Sequence, residues 1–284
     1  MAGRLLVFGA GYSGLAVARE AVGIGMAVAV TSRQTGLEAD GVEMVPFAAA
    51  GAAIAGASHV LATAPPGAGG DPVLAVYREA LAAAPSLRWM GYLSTTGVYG
   101  DRGGAWVDET TVPAPGNARS VARVAAEEDW GGFAGAMAVD VFRVAGIYGP
   151  GRSALDEVRS GRARLVERPG HLFGRVHRDD IAGAVCAAMA QARGAGRRVL
   201  HLADDLPASS ADVVAEAARL LGVAAPPRVG FEEAFAGMSA MARSFWAESK
   251  RVDARATQVA LGYRWRFPDF REGLAGVLAA ERGL

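Results

Sequence analysis

The sequence predicts an α/β fold, a doubly wound, mostly parallel sheet followed by a smaller C-terminal lobe. Three observations predict it. Seven short apolar runs bounded by turn residues recur at 4–8, 26–30, 42–45, 59–62, 89–93, 139–144 and 199–202. Stretches with helical spacing lie between most of them, as at 13–22, 71–84, 119–130 and 180–192. The first run also ends in a glycine-rich turn that leads directly into the first helix. Strands covered on both faces read as continuous apolar runs, and their alternation with helices specifies parallel pairing through right-handed crossovers.

Each element has a local reason. The run from Arg4 to Phe8 is apolar to its last residue and stops at Gly9. The helix after it carries Leu15, Val17, Ala18, Ala21 and Val22 at helical spacing. Asp71 followed by Pro72 predicts a helix start, a capping carboxylate and then a ring whose missing N–H costs nothing. Beyond Pro150 the pattern loosens into an arginine-rich stretch, one clear helix, a strand, a helix at 210–221 and the pair Pro226-Pro227. The division is therefore a core over 1–150, with a returning strand near 198–202, and a mixed region over 151–284 that supplies the small lobe and C-terminal helices.

Composition narrows the function classes. A chain of 284 residues, 51% apolar and 20% charged, can bury a sizeable core and is neither disordered nor fibrous. Its 29 basic and 29 acidic residues cancel, so no overall field draws nucleic acid or an anionic membrane, and any anion site is local. The one cysteine, Cys186, excludes an internal disulfide framework and a thiolate metal centre. Residues 44–70 lack Asp, Glu, Lys and Arg, but interspersed prolines and glycines argue against a membrane span. The N-terminal apolar run is too short for a signal peptide, and the expectation is a cytoplasmic protein. All basic residues except Lys250 are arginine.

Gly9-Ala10-Gly11-Tyr12-Ser13-Gly14 is Gly-x-Gly-x-x-Gly in its required context, after a strand and opening a helix. Gly9 permits the tight turn, Gly11 lets backbone approach a pyrophosphate, and Gly14 lets helix and strand lie close. The helix's first N–H groups then face the phosphates, and this is the opening of a Rossmann dinucleotide unit. About twenty residues beyond the central glycine, such a unit that prefers NAD carries an acid on the ribose diol. Here Thr31, Ser32 and Arg33 follow the second strand instead. Hydroxyls and a guanidinium suit a 2′-phosphate, so NADP(H) is expected over NAD(H). Ala64 and Pro65, after the fourth strand, are assigned to the same cofactor surface.

Four segments together resemble the extended short-chain dehydrogenase/reductases, the nucleotide-sugar epimerase and dehydratase group, in an atypical branch. They are the glycine loop, Leu93-Ser94-Thr95-Thr96-Gly97-Val98-Tyr99-Gly100, Phe142-Arg143-Val144-Ala145-Gly146-Ile147-Tyr148-Gly149-Pro150-Gly151, and Arg175-Val176-His177-Arg178-Asp179-Asp180-Ile181-Ala182. Their order and spacing cover most of the chain. The resemblance implies proton transfer by a Ser or Thr after the fifth strand and a Tyr-x-x-x-Lys on the next helix. Thr95 falls on the hydroxyl position. Counted back from Glu127, the Tyr and Lys positions fall on Arg119 and Arg123, and no Tyr-x-x-x-Lys occurs anywhere. A guanidinium does not deprotonate at neutral pH, so Arg123 can hold a cofactor but cannot replace the phenol.

Tyr99 and Tyr148, expected on loops at the carboxyl ends of strands, are therefore the candidate proton donors beside Thr95, with plain packing as the alternative for each. Thr95 either polarises a carbonyl or caps backbone. Arg119 and Arg152 are the candidate substrate contacts, and Arg159, Arg162, Arg164 and Arg168 extend that cluster or form a solvated face. His177 with Asp179 could pass for a base and its orienter, but the expected role is structural, Asp179 or Asp180 capping a helix that begins at Ile181. Cys186 is expected in the core. Trp246, Tyr263, Trp265, Phe267 and Phe270 are expected to pack the C-terminal segment, with one able to line a cleft.

The function expected is an NADP-binding oxidoreductase acting on a small polar or anionic carbonyl or alcohol. A non-catalytic NADP-sensing regulator and a nucleotide-sugar epimerase or dehydratase with unusual acids are the alternatives. No metal is expected. The resemblance also implies a possible homodimer through the helices at 71–84 and 119–130.

Overall fold

The structure, a computed structural model, describes residues 3–34 and 36–283. The chain begins β1 (Arg4–Phe8), α1 (Tyr12–Gly23), β2 (Ala27–Ser32), β3 (Val42–Pro46), α2 (Ala50–Ala55), β4 (His59–Ala62), α3 (Leu74–Ala82) and β5 (Trp89–Thr95). It continues β6 (Trp106–Val107), α4 (Ala118–Gly131), β7 (Ala138–Val144), β8 (Gly146–Tyr148), α5 (Ala154–Arg159), β9 (Leu165–Glu167), β10 (Arg175–His177), α6 (Arg178–Ala190) and β11 (Gly196–Leu202). It ends α7 (Ser210–Leu221), β12 (Arg228–Gly230), α8 (Phe231–Ala236), α9 (Ala240–Trp246), β13 (Arg251–Val252), α10 (Arg255–Leu261) and α11 (Phe270–Glu281).

The seven apolar runs become one seven-stranded parallel sheet in the order β11-β7-β5-β4-β1-β2-β3. Successive side chains in a strand point to opposite faces, and the core splits accordingly. Leu5 and Val7 of β1 join Val17 of α1 and Ile181 and Val185 of α6 on one face. Leu6 and Phe8 join Leu74 and Tyr77 of α3 and Trp130 of α4 on the other. Cys186 lies within the first cluster, where burial pushes its thiol up to about 12, so it is a packing residue.

Helix starts follow capping chemistry. Asp71 Oδ1 accepts from the N–H groups of Val73 and Leu74 at 2.9 and 3.0 Å, while its Oδ2 accepts from Trp130 Nε1 at 3.0 Å. The start expected at Ile181 lies earlier, at Arg178. His177 Nδ1 caps α6 by accepting from Asp179 N–H. Asp180 instead accepts from Arg266 N–H, Phe267 N–H and the Tyr263 hydroxyl, pinning the C-terminal loop. Burial lowers the His177 imidazole to about 4, and its Nδ1 is occupied by the Asp179 N–H, so the residue is a helix cap and not a base oriented by Asp179.

The small lobe gathers α5, α7 and α11 around Leu155, Val213, Phe270, Leu274 and Val277. Three two-stranded pairs, β8 with β10, β9 with β12 and β6 with β13, attach it to the sheet's carboxyl edge. Among the described residues no helix is long and apolar enough to cross a membrane.

Candidate functional site

β2 and β3 lie to one side of β1, and β4, β5, β7 and β11 to the other. The order reverses between β1 and β4, and in open α/β sheets ligands bind outside the carboxyl ends of strands at such a reversal. Gly9 sits there at φ +119°, where a Cβ would lie 2.4 Å from Thr63 Oγ1. A Cβ on Gly14 would lie 2.0 Å from the Gly9 carbonyl oxygen, so that position admits only glycine without a backbone shift. Gly11 opens on free space, with nothing within 4 Å of where its Cβ would be. It is also the N-cap of α1, and no side chain caps the helix.

The first amides of α1 thus have no side-chain cap, and the space beside Gly11 is open, which fits a pyrophosphate. Ala64 and Pro65 follow β4, and Ala64 N lies 3.7 Å from where a Gly9 Cβ would stand. At the end of β2, Thr31 is buried, and the Ser32 hydroxyl closes a turn by donating to the Gln34 carbonyl and accepting its N–H, both at 2.9 Å. Arg33 is exposed, and no carboxylate pairs with it among the described residues.

Tyr12 turns away from the crevice floor. Its hydroxyl donates to the Pro150 carbonyl at 3.0 Å, and the guanidiniums of Arg178 and Arg152 lie 4.9 and 5.7 Å from its ring centroid. It braces the Gly149–Gly151 turn against the glycine loop.

Past the ends of β5 and β7 lies a cleft of about 580 Å³. Arg119, Arg123, Arg152, Arg175 and Lys250 line it, with Glu248 as its only carboxylate. Elsewhere arginines find acids, as in Arg78–Asp129, Arg143–Glu127 and Arg219–Glu216. Among the described residues none of the four cleft arginines forms a salt bridge, although the buried Asp204 carboxylate acts on Arg175 at longer range. Arg123 donates to the Leu93 carbonyl at 2.7 Å and the Tyr92 hydroxyl at 3.1 Å. Arg175 donates to the carbonyls of Phe173 and Ala208. Arg119 donates to Ser244 Oγ at 3.1 Å and lies over the Phe245 ring. Arg152 has only the Tyr12 face. Four arginines and a lysine against one lining carboxylate leave this concave site with an excess of positive charge, which suits an anionic ligand.

The expected proton donors fare differently. Thr95 lines the cleft, and its Oγ1 accepts from Gly97 N–H at 3.1 Å, capping the short turn after β5. Its hydroxyl hydrogen stays available to a ligand. Tyr99 is withdrawn from the cleft and fully buried. The Asp253 carbonyl takes the Nδ1–H of His201 at 2.7 Å, which leaves Nε2 to accept from the Tyr99 hydroxyl at 2.5 Å, while Arg143 Nη1 donates to the same oxygen at 2.7 Å. Burial, partly offset by Arg143, pushes this phenol up to about 12. Tyr148 shows the cleft its ring, but its hydroxyl packs against Gly273 and points toward the Asp269 carbonyl, and burial drives its pKa upward. Neither phenol is placed to donate to a ligand.

The arginine cluster also disperses. Arg159 pairs with Glu281, Arg164 bonds the carbonyls of Gly161 and Ala163, and Arg168 bonds the Trp246 carbonyl, leaving Arg152 in the cleft. Arg162 faces an adjoining cavity of about 410 Å³. Of the C-terminal aromatics Trp246 lines the cleft beside Phe245, and Trp265 and Phe270 are core residues.

Several site residues escaped sequence reasoning. Lys250, Glu248, Asn117, Ser120 and Arg175 all line the cleft. Asn117 follows a Pro-rich stretch and precedes a helix, so its capping of α4 through Ser120 N–H was readable as a helix start. The strap carrying Glu248 and Lys250 left no local signal, because its position depends on β13 pairing with β6 across 145 residues of chain (252 − 107).

No protein-family model and no curated protein matches the chain. Among solved structures, a functionally unknown conserved protein from Silicibacter pomeroyi DSS is 40% identical, with 98% of this chain and 99% of that chain covered and a TM-score of 0.89. The human epimerase family protein SDR39U1 (isoform 2), solved with NADPH, is 20% identical, covering 96% and 98%, with a TM-score of 0.75. UDP-N-acetylglucosamine 4-epimerase from Bacillus cereus is 14% identical, covering 99% and 100%, with a TM-score of 0.79. The chain belongs to one family with the Silicibacter pomeroyi protein, and its fold is that of the atypical extended short-chain dehydrogenase/reductases, the epimerase/dehydratase-like group.

Proposed function

We propose that the chain is an NADP(H)-binding, oxidoreductase-like protein whose second ligand is a small anionic carbonyl or alcohol compound. One observation carries this reading: the uncapped α1 start is tied through Tyr12 to Pro150 and Arg152, and Arg152 is one of four arginines that line the cleft without a salt bridge among the described residues. Gly9, Gly11, Ser13 and Gly14 would hold the pyrophosphate, Thr31, Ser32 and Arg33 the adenosine end, and Ala64, Pro65 and Arg123 the remaining edge. A nicotinamide bound there supplies or removes hydride. Arg119 and Arg152 orient the anion, and Thr95 offers its hydroxyl hydrogen to the ligand's oxygen. NADPH among the neighbours' ligands, in the human protein, supports the cofactor class.

Fluorescence titration tests the cofactor assignment. NADPH is expected to bind more tightly than NADH, and Arg33→Ala to weaken NADPH about 10–100-fold, the worth of a charge-assisted bond, while leaving NADH nearly unchanged. Equal affinities, or equal losses on substitution, overturn it.

The commitment of both candidate phenols to internal acceptors favours a second reading, a dinucleotide-sensing regulator without turnover. A ligand-dependent fall in NADPH absorbance that Thr95→Ala abolishes eliminates that reading.

A further inference from the structure

We propose that Lys250 is a ligand-binding residue of the cleft, placing its ammonium against the carbonyl or hydroxyl oxygen of an anion that the cleft arginines hold. The proposal rests on the reading that the cleft takes an anionic ligand, and it names both the residue that meets the ligand's reactive oxygen and the two-part chemistry of that ligand.

Lys250 is the only lysine of the chain, and it reaches the cleft from a strap distant in sequence. The strap is tied down along its length. The Ser249 carbonyl accepts from the N–H groups of Arg102 and Gly104, its own N–H donates to Asp101 Oδ1, and the next residues, β13, pair with β6. The Lys250 side chain is 11% exposed, so it is a wall residue and not a solvated surface cation.

An ammonium has three N–H donors in tetrahedral arrangement. Two are committed, one to the Gly100 carbonyl at 2.9 Å and one to Glu248 Oε2 at 2.7 Å. The third has no partner among the described residues, and Lys250 lines the cleft. Glu248 is fixed in turn by Asn117 Nδ2 on its Oε1 at 3.1 Å, and Asn117 caps α4 through Ser120. The ammonium is therefore positioned by a chain of bonds reaching the helix that carries Arg119, Ser120 and Arg123. Ser120 Oγ and Thr95 Oγ1 flank Gly97, each 3.3 Å from where its Cβ would stand. Two hydroxyls and one ammonium thus border the same space, where no phenol is free.

The division of labour follows from side-chain chemistry. The arginines are planar, permanently charged forks suited to carboxylate or phosphate, whereas an ammonium is a compact donor able to release its proton. A ligand with an anionic group at the arginines and an oxygen at Lys250 uses both.

A single lysine makes the test specific. Pyridoxal 5′-phosphate carries an anion and an aldehyde. Its carbonyl carbon is attacked by a lysine nitrogen, water leaves, and borohydride fixes the imine as a secondary amine. The expected result is modification at Lys250 with a rate that saturates in reagent, protection by inorganic phosphate, and a half-saturating concentration raised about tenfold by Arg119→Ala or Arg152→Ala, the equivalent of about 1.4 kcal/mol. Lys250→Met and Lys250→Arg, checked for an unchanged unfolding midpoint, should lose the adduct and leave only α-amine labelling. Labelling of Lys250 that rises linearly with reagent and ignores phosphate overturns the assignment. NADPH titration on the same preparations keeps the two ideas apart. NADPH binding with linear labelling removes Lys250 alone, and saturable labelling without NADPH binding removes the dinucleotide reading alone.

Discussion

The two halves of the crevice are built from different materials. On the dinucleotide side, the loop from Gly9 to Gly14 works through backbone, bare amides and missing Cβ atoms, over an apolar sheet. On the ligand side, the cleft wall is made of long charged side chains underlain by a buried polar network. Ser94 Oγ donates to Glu127 Oε1 at 2.5 Å, Arg143 grips Glu127 with its Nη2 at 2.7 Å, and Arg143 passes on to Tyr99 and His201. Backbone geometry is set by local sequence, whereas a charge network needs residues from several elements to arrive together. The first half should fail by steric intrusion and the second by lost compensation.

The largest expected effect lies in the second half. Glu127 is fully buried and Arg143 is 4% exposed, so removing the carboxylate strands a guanidinium in the core. Breaking such a pair from one side costs about 3–5 kcal/mol, more than the pair itself contributes. Glu127→Ala is therefore expected to lower the urea midpoint by that equivalent. The double variant Glu127→Ala with Arg143→Met should recover much of the loss. A single variant that unfolds within 1 kcal/mol of the parent in equilibrium denaturation, on the scale of a solvent-exposed pair, would show that water reaches the network.

The dinucleotide half offers a smaller but sharper break. Gly14→Ala puts a methyl 2.0 Å from the Gly9 carbonyl oxygen, and because that neighbour is backbone, the turn must open. Forcing such a contact costs about 1–3 kcal/mol. NADPH affinity should drop with it, since the amides lose their alignment. Gly11→Ala, which meets nothing within 4 Å in the chain, should fold normally yet lose NADPH binding, because its methyl occupies the phosphate's space. Retained binding in Gly11→Ala would mean that the crevice is not where the pyrophosphate lies.

The same contrast explains what could be read in the sequence. The inner sheet strands were legible because double burial leaves an apolar run, the edge strands β3 and β11 are only partly buried, and the glycine loop was legible because its function is a spacing within six residues. The three small strand pairs were not, since β8 with β10 or β6 with β13 involve two or three residues each and form only across long separations. Tyr99 and Tyr148 were placed on the correct side of the sheet, but element position does not determine which way a hydroxyl turns. His201 and Asp253, contributed from far along the chain, claimed one, and the Asp269 carbonyl at the start of α11 drew the other. Arg123 stands on the expected helix, and its Nη1 is bound to the Leu93 carbonyl and the Tyr92 hydroxyl, which no spacing rule announces.

The smallest expected effect probes the link between the network and pH. Tyr99→Phe removes a hydroxyl bonded to Arg143, His201 and the Asp108 carbonyl, and each lost internal bond costs about 0.5–1.5 kcal/mol near neutrality. NADPH binding should not change, because Tyr99 is not part of the cleft wall. The pH dependence carries a definite sign. Burial holds the folded phenol at about 12, against about 10 in the unfolded chain, so below pH 10 both states keep the proton and the group adds no slope. Between pH 10 and 12 the unfolded chain ionises first and stability falls as pH rises, by at most about 1.4 kcal/mol per pH unit for this one group. Tyr99→Phe should therefore cost stability at pH 8 and lose less of it on going to pH 11 than the parent does, so the two denaturation curves converge. Parallel curves would show that the phenol titrates freely in the folded protein, and the buried network beneath the cleft would then be open to solvent like any surface pair.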